Sequence, residues 1–109
     1  MVFDAEALVG RRVHDRDGKA VGVVTGWCRY PRELAAPAGA AAVVTGRILR
    51  SRRLVDLLDA SLDDEVLTVV YPADLINSAP FHEPLVGNTL SDHDAADVLA
   101  HYRATMTPA

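Results

Sequence analysis

The chain has a single cysteine, Cys28, among its 109 residues. A lone cysteine excludes an internal disulfide, and the N-terminal segment 1–6 is acidic where a secretory signal is basic. We therefore expect a cytoplasmic protein. No uncharged apolar run reaches the roughly 18 residues that a membrane-spanning helix requires, because the longest, 34–45, is interrupted by Pro37 and Gly39. This predicts that the chain has no membrane span.

Basic residues are also few, since 11 Lys and Arg stand against 15 Asp and Glu and give a net charge of −4. A field of this sign repels phosphate backbones, so nucleic acid is an unlikely partner unless a local patch differs. The hydrophobic fraction of 50% and the charged fraction of 24% are typical of a globular domain. A chain of this length is expected to form one core.

The first half of the chain predicts β-structure. Asp15 to Gly18 (DRDG) is a turn sequence, because Asp bonds nearby backbone and Gly accepts positive φ, and it joins strand candidates at 8–14 and 20–30. The second candidate contains Gly22 and Gly26, each of which would cost a helix about 1 kcal/mol. The proline-containing segment 31–39 is a predicted loop, and 41–49 is the next predicted strand.

The second half is less uniform. In 53–58 the apolar spacing suits a helix, whereas the brevity of the run and the turn residues at 63–65 suit a strand, so the pattern alone leaves both open. The segment 66–71 is a predicted strand that ends at Pro72, and 73–78 is at most one helical turn.

The last predicted element is a helix over 92–103. Ser91 is a suitable N-cap, Asp94 completes a capping box, and acidic residues in the first turn complement the helix dipole. One stripe of apolar residues must be buried against the sheet or against a second chain. The stripe comprises Ala95, Val98, Leu99 and Tyr102.

The DRDG turn, the sequence Val21-Gly22-Val23-Val24 and the late Val-Tyr-Pro strand together resemble the PRC-barrel family. The segment from Tyr71 to Pro80, followed by a helix that ends His101-Tyr102-Arg103, is similar to small bacterial members with an appended helix. The resemblance spans 8–103. It implies a mainly β fold, a small SH3-like antiparallel PRC-type β-barrel within 1–80. The segment 81–109 is then a linker and a C-terminal amphipathic helix, packed on the barrel or on a partner. It also makes 53–58 a strand.

In the photosynthetic reaction-centre H subunit and in a ribosome maturation factor, this family's barrel is an assembly module. The present chain has neither the H subunit's membrane helix nor the domain that precedes the barrel in the maturation factor, so neither specific role transfers. The matching residues specify a fold and include no catalytic group. The resemblance therefore implies a non-catalytic protein-binding or assembly module without a cofactor. We expect it to form a homodimer through strand edges or the terminal helix.

Two groups of residues are candidates for partner binding. Arg47, Arg50, Arg52 and Arg53 form the only basic concentration in the sequence, and Arg forks suit carboxylate or phosphate. An RNA- or ribosome-associated factor is the alternative function that this cluster allows, although interleaved aromatics are absent and a solvated surface is the simpler interpretation. Trp27 and Tyr30 are expected to line an apolar groove or to fill the core.

The residues give little support for an enzyme. His93, Asp97 and His101 share one helix face, but both histidines cannot hold one ion across about 12 Å of helix rise. They are predicted to be solvated, with Asp97 paired to His101. The turn 15–18 has no Glu at the twelfth position of a calcium loop, and nothing near Cys28 in sequence activates a thiol. A metal-dependent enzyme is therefore the least favoured alternative.

Overall fold

The computed structural model describes residues 5–46 and 48–103. The helices are α1 (Ala5–Leu8), α2 (Ala73–Asn77) and α3 (Asp92–Arg103). The strands are β1 (Arg12–His14), β2 (Ala20–Cys28), β3 (Ala40–Thr45), β4 (Ser51–Asp56), β5 (Ser61–Asp63) and β6 (Val66–Thr68). This confirms the prediction of a mainly β fold with a C-terminal helix. Within the described ranges, no helix is both long enough and apolar enough to cross a bilayer.

The six strands form one mixed sheet in the order β4-β3-β2-β1-β6-β5. Four of the pairings are antiparallel, but β1 and β6 run parallel, so the prediction of an antiparallel sheet is wrong at this pair. Strands joined by a tight turn must be antiparallel. β6 follows β2 to β5 in the chain and pairs with the free edge of β1, so no tight turn fixes the direction of β6 relative to β1.

The two edge strands of the sheet, β4 and β5, are consecutive in the chain and are joined by residues 57–60 alone. In a flat six-stranded sheet the edges would lie about 24 Å apart, at about 4.8 Å per strand spacing. The five residue steps from Asp56 to Ser61 span at most about 18 Å. The sheet is therefore strongly curled, although no ladder joins β4 to β5 in the described part of the chain.

The predicted turn between β1 and β2 is confirmed, and Asp15 organises it. One carboxylate oxygen accepts the backbone N–H groups of Asp17 (2.9 Å) and Lys19 (2.8 Å), and the other accepts that of Ala73 (3.2 Å). Burial alone would raise the pKa of Asp15, but these three N–H groups, with the Lys19 charge, lower it below its usual value. Asp15 thus fastens the first hairpin to α2 instead of opening a calcium loop.

Several predicted boundaries are wrong. Only Arg12–His14 of the predicted strand 8–14 is extended, and Leu8 ends α1. The predicted strand 41–49 ends at Thr45, because Gly46 turns the chain with a φ of 91°. The short strand β5 was not predicted, although the turn residues at its end were.

The ambiguous segment 53–58 lies mainly in strand β4. Leu54, Val55, Asp56 and Leu57 are all fully buried, because the sheet core covers one face of β4 while α2 and α3 pack beside it. A strand covered on both faces loses the alternation of apolar and polar residues by which strands are recognised. The helix-like spacing was therefore a consequence of burial.

Helix α3 has the predicted bounds and packs on its own sheet. Ser91 Oγ accepts the backbone N–H of Asp94 at 3.1 Å, which confirms the N-cap. Ala95, Val98 and Tyr102 are buried in the same core as the strands, and the Tyr102 hydroxyl donates to the carbonyl oxygen of Leu54 at 2.5 Å. Three of the four residues of the apolar stripe are thus covered within the chain, and Leu99 is partly buried.

Candidate functional site

One row of outward-facing side chains crosses all six strands. Residues directly opposite one another on neighbouring strands project from the same face of a sheet. The strand registers therefore align the outer row, which consists of Asp63, Val66, Arg12, Val23, Val44 and Arg52. The row one residue further along faces the core, where Leu67 and Val13 are completely buried. The outer row places aliphatic side chains between charged ones on the molecular surface.

The middle of this row borders a groove of about 580 Å³. We call it the valine groove, after Val21, Val23 and Val44 in its wall. Among the residues that the structure describes, Arg12 and Arg50 are the charged ones that line it. Among the described residues, neither guanidinium has an ion-pair partner. The groove is therefore a basic, partly apolar surface on an acidic protein.

The β3–β4 connection adjoins the valine groove through Gly46 and Arg50. The side chains of Ile48 and Leu49 on this hairpin tip are 93% and 86% exposed. Leaving such a side chain in water forgoes roughly 1.5–3 kcal/mol that its burial would provide. Large apolar side chains clustered on a surface mark interaction sites.

The predicted arginine cluster is divided by the fold. Arg47 lies outside the described residues, and Arg50 and Arg52 face outward. Arg52 stacks over the Phe81 ring, with 4.4 Å from guanidinium carbon to ring centroid, and its Nη1 lies 3.2 Å from Glu83 Oε1. Arg53 points the other way and donates from Nη1 to the Ala79 carbonyl at 2.9 Å. The structure instead adds Arg12 to the outward group.

The two predicted aromatic residues separate as well. Trp27 lines a second groove of about 320 Å³ with Phe81, while its indole N–H donates to the Ala38 carbonyl at 3.0 Å. Tyr30 is only 5% exposed and donates its hydroxyl to Asp56 Oδ1 at 2.8 Å. Tyr30 is thus a core residue and not part of the candidate surface.

No family model matches this chain. A search of curated proteins also finds no match. The functional interpretation therefore depends on the geometry of the chain's own residues.

Asp56 is a fully buried carboxylate at the end of β4. It accepts hydrogen bonds from the hydroxyls of Tyr30 (2.8 Å) and Tyr71 (2.5 Å), and from Nε and Nη2 of Arg103 (3.0 and 3.2 Å). Burial raises the pKa of Tyr71, and its hydrogen bond to Asp56 raises it further. Burial alone would lower the pKa of Arg103, but the Asp56 carboxylate raises it above its usual value. All four hydrogen bonds join Asp56 to residues of the same chain, and the two from Arg103 fasten α3 to the sheet.

The histidine pairing predicted on α3 is wrong. His82, from the loop before α3, places Nε2 at 2.7 Å from Asp97 Oδ2 and Nδ1 at 3.3 Å from Asp94 Oδ1. His101 Nε2 lies 2.7 Å from the Leu75 carbonyl instead of bonding Asp97. These contacts link α3 to its flanking segments. Across residues 5–46 and 48–103, no group of three or more His, Cys, Asp or Glu side chains is arranged to hold a metal ion.

Cys28 is buried in the core and its thiol lies 3.6 Å from the Ala40 carbonyl. Burial raises the pKa of this thiol to about 12. The thiolate is the nucleophilic form of cysteine, and at neutral pH a thiol with so high a pKa is almost wholly protonated. Cys28 is therefore a small core residue in this fold.

Proposed function

We propose that the protein is a non-catalytic protein-binding or assembly module of the PRC-barrel type that self-associates as a homodimer. The four-residue link that curls the sheet supports the small SH3-like barrel, and so does the packing of α3 against β4. The Asp15 turn and the close approach at Gly22 also suit a small, strongly bent sheet. The fold and the family assignment are parts of this same proposal.

The observation that carries the proposal is the exposure of Ile48 and Leu49 beside the valine groove. The surfaces first expected to mediate self-association are partly used within the chain: Ala95, Val98 and Tyr102 of α3 are buried, and the β4 edge donates Leu54 N–H to the Pro80 carbonyl at 3.0 Å. The hairpin tip remains available. The tip and the groove form one continuous surface patch, and a two-fold symmetric interface uses the same patch on both copies.

Changing both tip residues, Ile48→Ser with Leu49→Ser, is expected to weaken self-association by at least about 100-fold. Burying two such side chains is worth roughly 1.5–3 kcal/mol each, and about 1.4 kcal/mol corresponds to a tenfold change in affinity. The free energy of unfolding should stay within about 0.5 kcal/mol of the wild type, because both side chains are already exposed. Sedimentation equilibrium measures the association and urea denaturation measures the stability.

The matched control is Leu85→Ser with Val86→Ser, which removes two other exposed aliphatic side chains (58% and 103%) far from the hairpin tip in sequence. This control should dimerise like the wild type. A wild-type protein that remains at 11.7 kDa at micromolar concentrations would contradict the proposal. An equal loss of dimer affinity in both variants would show that the hairpin tip is not the site of self-association.

An RNA- or ribosome-associated role is the second candidate. It is favoured by the one observation that Arg12 joins Arg50 and Arg52 on the same outer face. The Phe81 ring is covered by Arg52 and offers no open platform for a base. RNA binding that weakens steeply with salt and is lost in Arg12→Gln with Arg50→Gln would favour this role over protein assembly.

A further inference from the structure

The β5–β6 hairpin carries three consecutive acidic residues, Asp63, Asp64 and Glu65, and all three are exposed. We call this the acidic hairpin. Within the described part of the chain, none of the three carboxylates has a basic partner. Adjacent like charges repel one another, and a cationic surface on another molecule relieves that repulsion.

The valine groove has the complementary chemistry. Arg12 and Arg50, which line it, are the unpaired arginines described above, and none of the described acidic residues lies in its lining. The planar guanidinium fork is suited to carboxylates and can bind both oxygens at once. The same molecule thus presents an unpaired basic groove and an unpaired acidic hairpin.

The sheet fixes where these two features lie. In the order β4-β3-β2-β1-β6-β5, the hairpin tip with Arg50 belongs to the β3–β4 side and the acidic hairpin to the β6–β5 side. Val23 lies between them in the outer row and is 43% exposed. The surface therefore runs from Arg50, across the half-buried Val44 and the exposed Val23, to Arg12 and then to the carboxylates of the acidic hairpin.

We propose that the valine groove binds the acidic hairpin of a second copy of this chain. A two-fold axis between the groove and the acidic hairpin, near Val66 in the outer row, places the acidic hairpin of each copy in the valine groove of the other, so every charge contact is made twice. This inference rests on the proposed self-association and names its interface.

The charges decide between this arrangement and a simpler one. If the hairpin tip of a second copy filled the groove, its Arg50 would face Arg12 and Arg50 of the first copy. Like charges placed opposite one another oppose association, whereas complementary potentials favour it. The acidic hairpin is therefore the better occupant, and Ile48 and Leu49 are buried beside the groove in the same interface.

A charge exchange tests this pairing. One variant carries Arg12→Glu with Arg50→Glu, and the other carries Asp63→Lys with Glu65→Lys. Each variant alone should dimerise at least about tenfold more weakly than the wild type, because like charges now face each other. An equimolar mixture should form a heterodimer, since both interfaces in the mixed pair again join opposite charges. Analytical ultracentrifugation with one variant fluorescently labelled measures both states.

The matched control is Arg16→Glu with Arg32→Glu, which makes the same change in net charge at two exposed arginines outside the groove. It should dimerise like the wild type at physiological ionic strength. Restoration in the mixture also shows that both variants are folded. If the single variants dimerise normally, or if the mixture stays monomeric, the charge pairing is wrong. If the charge pairing fails in this way while the Ile48→Ser, Leu49→Ser variant is monomeric, self-association stands and only the pairing is wrong. A monomeric wild-type protein contradicts both self-association and the pairing.

Discussion

The Asp56→Ala variant is expected to lose about 3–5 kcal/mol of its unfolding free energy, the range found when one partner of a buried ion pair is removed. The change leaves the Arg103 guanidinium without its carboxylate. It also leaves the hydroxyls of Tyr30 and Tyr71 without the acceptor that each uses in the core. Urea denaturation followed by Trp27 fluorescence measures the loss.

The control is Glu33→Ala, at an exposed acidic residue of the 3-10 turn Arg32–Leu34. Its unfolding free energy should remain within about 0.5 kcal/mol of the wild type. Because α3 is fastened through Arg103, we also expect faster amide exchange in α3 of the Asp56→Ala protein. A loss below about 1 kcal/mol, the net value of a single ordinary hydrogen bond, would show that the buried node does not hold the fold together.

The second large effect is expected at Gly22. A Cβ atom here would overlap the carbonyl oxygen of Val44 on the neighbouring strand. Since backbone cannot move aside as a flexible side chain can, Gly22→Ala should destabilise the fold by about 2–3 kcal/mol, the upper part of the range for overpacked cores. Thermal and urea denaturation both measure this change.

Gly26, four residues along the same strand, is the matched control. Its Cβ would have Ala42 Cβ as its nearest neighbour, at an ordinary contact distance of 3.8 Å. Gly26→Ala should therefore be neutral or stabilise the protein by up to about 1 kcal/mol through the lower entropy of the unfolded chain. Equal effects at Gly22 and Gly26 would contradict the strand packing described above.

Local sequence signals predicted the parts of the fold that depend on local chemistry. The Asp15 turn and the Ser91 cap were recognisable because each forms bonds within a few residues. The parallel pairing of β1 with β6 joins residues more than fifty positions apart, and no local pattern encodes it. For the same reason the role of Asp56 was not predicted, because its four hydrogen bonds come from Tyr30, Tyr71 and Arg103, which are distant in sequence.

The candidate surface was predictable only in part. Clustering in sequence identified Arg50 and Arg52, but strand alternation sent Arg53 to the opposite face. Arg12 and Asp63 join the outer row solely through strand registers, one of which includes a bulge in the β1–β2 pair. The exposed aliphatic residues of the β3–β4 tip were visible in the sequence, but they were assigned to a strand.

The central claim, self-association through the outer face, is tested most directly by methyl NMR spectra recorded over a series of protein concentrations. We expect the methyl signals of Ile48, Leu49 and Val23 to shift together as concentration rises, while those of Leu85 and Val86 do not. Constant positions for the Ile48 and Leu49 signals, or shifts confined to Leu85 and Val86, would contradict it.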